Sequence, residues 1–357
     1  MAALILKRLT KQQNAKYVGL KDELVRVSGY GIAIHDGINP GGQLILPRHF
    51  ARGRNLLRNG DFIVQQNGNQ WLDAPSVGDY QYIVDGWFLQ RGGSSKANVA
   101  LSEADLAGSE ALQRALNITT FSGGGSDDFI LISQRIAGVG LLSGKKWCIS
   151  FEAKCNQAKN IAVEIGNDFK SQTQNQRLLL GRASLTTDYQ RFSLIGEFPR
   201  LPDTYVRGVN HHAWLYIWLE AGTNLNGRTG GIEGGNFTFK IGDIQLEELE
   251  DGDEATPFER MEYQDSRRKV RQYFEKVNSV ISLNKSGNNL SDASVSGYIP
   301  FIETKRAAPT VSPTYDFLSG ATTFGISEGG FNVLATSNSD TSLARVLGYT
   351  ADAEITP

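Results

Sequence analysis

Runs of alternating apolar and polar residues fill most of this chain, and clusters of Gly, Asn, Asp and Ser separate them. Alternation with a period of two places the apolar side chains on one face of a strand, whereas a surface helix needs a period of about 3.6. Clusters such as S-G-G-G-S-D-D at 122–128 and N-G-R-T-G-G-I-E-G-G at 226–235 are rich in turn formers. The pattern predicts an all-β fold of many short strands joined by turns.

The pattern divides the chain into four segments. Residues 1–52 hold a few short strands around H-D-G-I-N-P-G-G, and a β unit of this size needs copies of itself or a partner to bury a core. Residues 53–255 hold many strands with no helical period between them, which favours a jelly-roll β-sandwich. Residues 256–278 form a linker with one helix, and residues 279–357 form a C-terminal β domain.

The helix is the one predicted departure from β structure. A capping-box pattern at Thr256 and Glu259 precedes it, but the helical period becomes clean only near Asp265, and we place the helix at 265–277. The residues that recur at helical spacing are Val270, Tyr273, Phe274 and Val277. Strands are predicted at 61–65, 81–90, 129–136, 147–153, 161–166, 190–198, 213–220 and 236–247, and again at 295–302, 310–317, 322–327, 330–336 and 344–350.

Charge and hydropathy exclude two classes of function. Lys and Arg number 36 against 38 Asp and Glu, so no positive excess exists to neutralise a nucleic-acid backbone. A membrane-spanning helix needs about 20 apolar residues in succession, and we expect no membrane insertion. The short apolar run at the N-terminus predicts synthesis in the cytoplasm without a secretory signal. Cys148 and Cys155 would lie about 23 Å apart on opposite faces of one strand, which predicts two thiols and no disulfide.

The segment H-H-A-W-L-Y-I-W-L-E is the strongest candidate for ligand binding. Trp214, Tyr216 and Trp218 would share one face of a strand. The aliphatic residues that would share the other face are Leu215, Ile217 and Leu219. The aliphatic face is the cheaper one to bury because Trp and Tyr carry polar groups that need partners, so an open aromatic face could stack against sugar rings. Burial of the aromatics in the core or in a subunit interface is the commoner arrangement, and this alternative stays open.

A second aromatic cluster lies near the start of the predicted sandwich, with Trp71 and Trp87 close in sequence. Tyr80 and Tyr82 would share a face and are further candidates for contact with glycan, and packing is the alternative. Signatures of catalysis are weak. G-V-G-L-L-S-G-K-K at 138–146 departs from the phosphate-binding loop at two positions, and the adjacent His211 and His212 would point to opposite faces of a strand. The acidic run at 247–254 fits a solvated linker. We therefore expect a protein that is not an enzyme.

Eight short segments follow one another in an order that is itself informative. Each is short and rich in Gly, and it is the order that carries the resemblance. The segments are I-H-D-G-I-N-P-G-G (34–42), R-N-L-L-R-N-G-D-F (54–62), V-D-G-W-F (84–88), F-K-I-G-D-I-Q-L-E (239–247), A-T-P-F-E-R (255–260), R-Q-Y-F (271–274), K-R-A-A-P-T-V (305–311) and L-G-Y-T-A-D-A-E-I (347–355).

In this order, the segments resemble the tail-fibre and receptor-binding proteins of tailed bacteriophages. The first segment is similar to their virion-proximal element, and those between 54 and 247 to the two ends of a jelly roll like a carbohydrate-binding module. The family usually has Asp-Arg-Trp where this chain has Asp85-Gly86-Trp87, and Cys where it has Arg271. In related sugar-binding modules, the resemblance implies, acidic residues at the positions of Asp61 and Asp243 can hold a structural Ca²⁺; turn capping is the alternative.

The resemblance implies a homotrimer in the virion tail that attaches the phage to host cell-surface glycan. The N-terminal unit would contact a tail or baseplate protein, and the β domains would face bacterial surface polysaccharide. No cofactor is expected apart from the structural calcium. Two alternatives stay open: a structural component of the baseplate or head fibre without host contact, and a glycan-degrading tailspike. The sequence names neither the host nor the receptor.

Overall fold

A computed structural model describes residues 7–27, 31–47, 53–68, 70–74, 80–103, 108–109, 112–232, 234–250, 254–286, 294–316, 318–337 and 345–355. Regular structure in these ranges is almost entirely antiparallel β, which confirms the predicted all-β class. The chain separates into two compact units. The first comprises Met1–Phe62, Gln70–Gln81 and Phe88–Arg260; the second comprises Ile63–Asn69, Tyr82–Trp87 and Met261–Pro357.

The elements are numbered here in chain order. The helices are α1 Lys11–Lys16, α2 Asn226–Thr229 and α3 Tyr263–Arg271, and a 3₁₀ turn spans Thr223–Leu225. The strands are β1 Lys7–Leu9, β2 Leu24–Val27, β3 Gly31–Ile34, β4 Gln43–Pro47, β5 Gln70–Ala74, β6 Tyr80–Tyr82, β7 Phe88–Gly92, β8 Lys96–Ser102, β9 Ala115–Phe121, β10 Phe129–Ala137, β11 Lys146–Cys155, β12 Lys159–Asp168, β13 Arg177–Leu185, β14 Gln190–Glu197, β15 His212–Ala221, β16 Thr238–Leu249, β17 Phe274–Val277, β18 Ile281–Ser282, β19 Asn284–Ser286, β20 Ser294–Pro300, β21 Thr310–Asp316, β22 Leu318–Phe324, β23 Gly330–Ser337 and β24 Arg345–Asp352.

The N-terminal residues form a small sheet in the order β1-β2-β3-β4, in which β1 runs parallel to β2. Thr10 and Gln13 cap α1 reciprocally. The predicted turn at Asp36 is present: its carboxylate accepts hydrogen bonds from the backbone N–H groups of Ile38 and Asn39 at 2.8 and 2.7 Å. These hydrogen bonds lower the pKa of Asp36 to about 2 because they stabilise the charged form.

Two antiparallel sheets build the sandwich and confirm the predicted jelly-roll class. Within the described residues one sheet has the order β13-β12-β15-β10-β7-β6 and the other has the order β14-β11-β16-β9-β8-β5. Along β15, Leu215 and Ile217 have no exposed surface, and their burial anchors the first sheet in the core. The strands β12 and β10 flank β15, which places β15 at the centre of its sheet.

The segments at 54–62, 239–247 and 255–260 meet in one place. The amide of Asn55 donates from Nδ2 to the Ile244 carbonyl at 3.0 Å, and its Oδ1 accepts from the Leu246 N–H at 3.1 Å. Glu259 accepts hydrogen bonds from the backbone N–H groups of Gly53 and Asn55. Asn55 has little exposed surface, and its polar groups are satisfied inside the fold, so these segments close the sandwich.

The C-terminal unit has its own core, formed by two sheets in the described residues. One contains β17, β24, β18 and β21, and the other has the order β19-β20-β23-β22. Phe301, Phe331 and Tyr349 pack with their ring centroids 5.3 to 5.9 Å apart. Beside them the carboxylate of Glu275 and the ammonium of Lys305 lie 2.9 Å apart, with neither side chain exposed.

Several predicted elements differ from the structure. The structure confirms the predicted helix from residue 265 to Arg271, but Phe274–Val277 is strand β17 paired with β24, so extending the helix to 277 was wrong. The Tyr273 carbonyl accepts from the Ala353 N–H at 2.7 Å, and sheet pairing with the distant C-terminal strand overrides the local helical period. Residues 61–65 form no strand. The strand predicted at 81–90 is interrupted by a turn at Gly86, whose φ is 85°.

Strands β8, β9 and β13 were absent from the prediction. The central strands of the sandwich were placed to within a few residues.

Cys148 and Cys155 are both buried free thiols on β11, as predicted. Burial raises the pKa of Cys148 to about 12.

Candidate functional site

The aromatic row of β15 lies on the face of the sheet opposite to Leu215 and Ile217. Sheet register brings Ser133 and Glu164 beside Tyr216 on the two neighbouring strands, and Arg135 beside Trp214. The outer face at the centre of this sheet is therefore aromatic and charged, whereas its inner face is aliphatic. A strand buried only against protein would be apolar on both faces, so the outer face requires another explanation.

The rings of the row touch one another. Trp214 and Tyr216 are stacked, with centroids 4.1 Å apart and an interplanar angle of 21°, and Tyr216 meets Trp218 edge to face at 5.9 Å. The indole of Trp214 lies directly over Gly166 of β12, where an added Cβ would come within 2.1 Å of the ring. Glycine at 166 is what allows the indole to lie flat against the sheet.

A charged side chain from the connection after β15 covers the row. Arg228, in α2, places its guanidinium carbon 4.7 Å from the ring centre of Trp218 and 5.7 Å from that of Tyr216. The same guanidinium donates to Glu164 from Nη2 at 2.6 Å and from Nε at 3.2 Å. Trp218 Nε1 also donates to Glu164, at 3.2 Å. This two-pronged pair fixes α2 above the aromatic face.

A second arginine lies on the same face with donors to spare. Arg135 donates from Nη2 to the Tyr216 hydroxyl at 3.0 Å. Its side chain is almost fully buried, and its Nε and Nη1 atoms have no hydrogen-bond partner within the described part of the chain. Burial lowers the pKa of Arg135, while the Tyr216 hydroxyl and Asp168 raise it. Buried guanidinium donors are normally satisfied, so Arg135 marks a point where a ligand acceptor would be stabilising.

The three aromatic residues of the row differ in their exposure to solvent. Trp214 and Trp218 are 7% and 1% exposed, whereas Tyr216 is half-buried. The aliphatic face is in the core, as expected, but the aromatic face is not a bare platform. The prediction that these three residues contact glycan stays a prediction, and Tyr216 is the member with a surface to offer.

The chemistry around the row was missed from the sequence. Arg228 was read as part of a turn cluster, and Glu164 and Arg135 lie inside strands that were predicted only as strands. A signal was present, because a charged residue inside an apolar strand, as in I-A-V-E-I-G and I-S-Q-R-I, is almost never buried without a partner.

Tyr80 and Tyr82 do not form one surface. Tyr80 is 41% exposed and packs edge to face on Phe88 at 5.6 Å. Tyr82 belongs to the C-terminal unit, where its ring lies 5.1 Å from Phe274 and its hydroxyl accepts from the Gly86 N–H at 2.9 Å. The role that the structure gives Tyr82 is packing, and a ligand role for either residue stays a prediction.

Asp61 and Asp243 are both buried, and Asp61 is among the groups that raise the pKa of Asp243. Burial is the largest cause of a shift in Asp243 to about 6, opposed by Arg260 and Arg191. Arg260 donates to Asp243 Oδ2 at 2.7 Å. Within the described ranges no group of three or more His, Cys, Asp or Glu residues could hold a metal ion. Arg260 pairs with Oδ2 of Asp243, whereas Oδ1 has no hydrogen-bond partner among the described residues, and the structural calcium site at Asp61 and Asp243 stays a prediction.

One sequence pattern associated with catalysis occurs in the C-terminal unit. G-I-S-E-G at 325–329 has the G-x-S-x-G spacing, which sequence analysis missed. It lies in the turn between β22 and β23, where Ser327 Oγ donates to the Gly330 carbonyl and accepts from the Gly329 N–H, both at 3.3 Å. A nucleophile elbow requires a strand-to-helix turn, and this hairpin is a different structure.

His212, which begins β15, is buried and its Nδ1 lies 2.9 Å from the Asn210 carbonyl. Burial lowers the pKa of His212 to about 4. Among the described residues, no helix has the length and apolar character that crossing a membrane requires.

No protein-family model and no curated protein matches this sequence. Similar solved structures include the family 11 carbohydrate-binding module of the Clostridium thermocellum cellulase Lic26A-Cel5E, 12% identical, covering 49% of this chain and 97% of that chain with a TM-score of 0.32. TmCBM61 in complex with β-1,4-galactotriose is 12% identical over 55% and 99%, with a TM-score of 0.29. The enzymatically active domain of tailspike protein 4 of bacteriophage CBA120 is 13% identical over 60% and 25%, with a TM-score of 0.34. Similarities of this size assign no function to the chain.

Proposed function

We propose that this chain is a carbohydrate-binding attachment protein of a tailed phage, which binds host surface glycan as a homotrimer and does not cleave it. The observation that carries the glycan-binding part is the polar and aromatic outer face at the centre of the sandwich. Sugars present apolar C–H faces and rings of hydroxyl groups. A half-buried Tyr216 beside the spare donors of Arg135 offers a matching surface.

Contacts along this face support binding of an extended glycan. Gln90 Nε2 donates to Ser133 Oγ at 2.7 Å, beside Tyr216. The charged pair of Arg228 and Glu164 lies on the other side of the tyrosine. Polar groups on both sides of a central aromatic ring suit a ligand that runs across the strands.

The trimer part of the proposal is supported by the C-terminal unit. The register of β20, β23 and β22 places Tyr298, Phe324 and Leu334 on one face of their sheet. They are 55%, 50% and 45% exposed. Contiguous exposed apolar residues on a sheet mark an interaction surface, and two sister chains are the occupants that we propose. We also propose that α3 packs near the trimer axis, on the basis of its narrow apolar stripe, although this stripe is shorter than predicted because the helix ends at Arg271.

The glycan part is tested with purified protein in competition with phage adsorption and in direct binding to surface polysaccharide. Tyr216→Ala should lower polysaccharide affinity about tenfold or more, because the loss of a central aromatic contact costs about 1–3 kcal/mol. Tyr205→Ala, which removes a ring that packs on Phe169 elsewhere in the sandwich, is the matched control. Equal binding by both variants, or release of reducing ends from the glycan, would contradict the proposal.

The trimer part is tested by sedimentation of the full chain at micromolar concentration. We expect the mass of three chains, and we expect the double substitution Tyr298→Ser with Leu334→Ser to shift the mass toward one chain. A wild-type protein that sediments as a monomer would remove the homotrimer from the proposal and leave the glycan part standing.

A further inference from the structure

A pocket opens in the sandwich at the end of β15, next to the Trp218 end of the aromatic row, and no member of the row is among its lining residues. Its volume is about 540 Å³, within the range of about 300–1,000 Å³ that ligand sites occupy. Short connections rich in glycine form its walls, between 122 and 126 on one side and between 220 and 234 on the other. The lining residues that matter below are Ser122, Glu220, Gly222, Asn226, Ile232 and Gly234.

The carboxylate of Glu220 is the charged group of this pocket. Its side chain is 1% exposed, and its Oε1 accepts a hydrogen bond from Ser95 Oγ at 2.8 Å. The Oε2 atom has no hydrogen-bond partner within the described residues. Burial raises the pKa of Glu220, while hydrogen bonds from Ser122 and Ser95 lower it. A buried carboxylate oxygen without a donor is costly, and a donor supplied by a ligand would be stabilising.

The walls of the pocket are held in place before any ligand binds. Asp128 accepts hydrogen bonds from the Ser94 and Gly125 N–H groups at 2.9 and 3.1 Å, and its carbonyl accepts from the Gly222 N–H at 2.7 Å. At Gly234, an added Cβ would lie 2.6 Å from Ser122 Oγ and 2.9 Å from Glu220 Oε1. Glycine at 234 therefore lets this wall of the pocket approach Ser122 and the Oε1 side of the carboxylate closely.

The residues that line the pocket favour some classes of ligand over others. It contains no aromatic ring among the described residues, so a ligand is not held by stacking. Its polar groups are hydroxyls, amides and one carboxylate. The charges of Glu220 and of the nearby Asp128 disfavour an anionic ligand. Lys159 already contributes positive charge to Glu220, so a cationic group is not required. A neutral ligand that carries several hydroxyl groups remains.

We propose that this pocket binds one neutral sugar residue end-on, with a hydroxyl of that sugar donating a hydrogen bond to Oε2 of Glu220. The inference rests on the proposed glycan-binding function and adds a second subsite to it. The aromatic row would contact a stretch of chain, whereas this pocket would take a terminal residue.

The test uses the full-length protein and free monosaccharides. Saturation-transfer NMR and calorimetry are run with neutral hexoses, with N-acetylglucosamine, and with glucuronic acid as the anionic probe. We expect at least one neutral sugar to bind and glucuronic acid not to bind. Glu220→Gln and Gly234→Ala should each weaken the binding about tenfold or more, because the first alters the acceptor and the second displaces Ser122 and the Glu220 carboxylate, which lie too close to Gly234 for a methyl group.

Matched controls separate a local effect from a change in folding. Glu152→Gln alters another buried carboxylate on the other sheet, and Gly227→Ala adds a methyl where no atom lies within 4 Å. Both should bind the sugar as wild type does. The inference is overturned if no neutral monosaccharide binds to wild-type protein, or if the pocket variants match their controls. If polysaccharide still binds through Tyr216 in that case, the proposed function stands alone; if no glycan of any length binds, both fail.

Discussion

Two buried charge clusters in this molecule have opposite characters. In the C-terminal unit, Lys305 and Glu275 are fully buried, and Glu275 also accepts hydrogen bonds from the Tyr349 hydroxyl at 2.6 Å and from the Ile302 and Glu303 N–H groups. On the outer face of the sandwich, Arg228 is 26% exposed over Glu164. Nearby Arg135 keeps two donor atoms without a partner in the described residues.

The difference distinguishes a cluster whose groups are satisfied within the fold from one that we propose is open to a ligand. Polar groups that are buried for the fold are hydrogen-bonded completely, and the C-terminal cluster meets that condition at Glu275. Burial is the largest single influence and raises the pKa of Glu275, but the hydrogen bonds from Tyr349, Ile302 and Lys305 together hold it below its usual value. The sandwich cluster does not meet that condition, because the buried Nε and Nη1 atoms of Arg135 have no hydrogen-bond partner among the described residues.

The largest expected effect is on the buried cluster of Glu275 and Lys305 in the C-terminal unit. Lys305→Met should destabilise the C-terminal unit by about 3–5 kcal/mol, because removing one member of a buried pair leaves the other charge without compensation. Glycan binding should be unchanged. Hydrogen exchange of peptides that cover β24 measures the effect. Lys276→Met changes an exposed lysine on β17, the strand that carries Glu275, and should have little effect. If Lys305→Met and Lys276→Met show the same rate of hydrogen exchange, the buried cluster of Glu275 and Lys305 does not have this structural role.

The second effect is acid destabilisation of the sandwich through His212. Its pKa falls from 6.5 in the unfolded chain to about 4 in the folded protein. The unfolded state therefore binds a proton that the folded state resists, and the contribution of His212 is complete above pH 6.5 and lost as the pH falls toward 4. The difference of 2.5 units corresponds to about 3 kcal/mol at about 1.36 kcal/mol per unit.

Unfolding by urea at a series of pH values checks the His212 effect. His212→Gln should flatten the dependence between pH 6.5 and 4, whereas His211→Gln, its neighbour in sequence, should retain it. The same slope in all three proteins would contradict the assignment.

The sequence predicted the sheets better than the site, for a physical reason. Alternation of polarity along 213–220 is a local property, and it placed β15 and its two faces correctly. The burial of Trp218 and the position of Arg228 depend on a connection that folds back over the strand, which no local pattern records. At 274–277 the local period was helical, and pairing with β24 decided the outcome.

The eight segments that carry the resemblance also inform about the fold and not about the candidate site. Those at 54–62, 239–247 and 255–260 resemble a phage family, and the structure uses Asn55, Glu259 and Asp243 within them to close the sandwich. The segments at 305–311 and 347–355 supply Lys305 and Tyr349 to the buried C-terminal cluster. The segments that carry the resemblance therefore supply residues that hold the fold together. The candidate binding residues Tyr216, Arg135 and Glu220 lie outside all eight segments.

The smallest expected effect concerns Arg228 and Glu164, the charged pair on the outer face of the sandwich. Arg228→Met should destabilise the sandwich by about 1–3 kcal/mol, since Glu164 keeps its hydrogen bond from Trp218 but loses its cation. Arg177→Met, at an exposed position on β13, should change stability by no more than about 0.5 kcal/mol.

A double-mutant cycle with Glu164→Gln sharpens the comparison between the two clusters. The double variant Arg228→Met with Glu164→Gln should recover part of the stability that Arg228→Met loses, because the uncompensated charge is gone. We expect Arg228→Met to impair polysaccharide binding, and the double variant should stay impaired because neither charged group is then available to the ligand. If stability and binding recover together, the pair serves only to hold α2 in place, and the sandwich cluster has the same structural character as the C-terminal one.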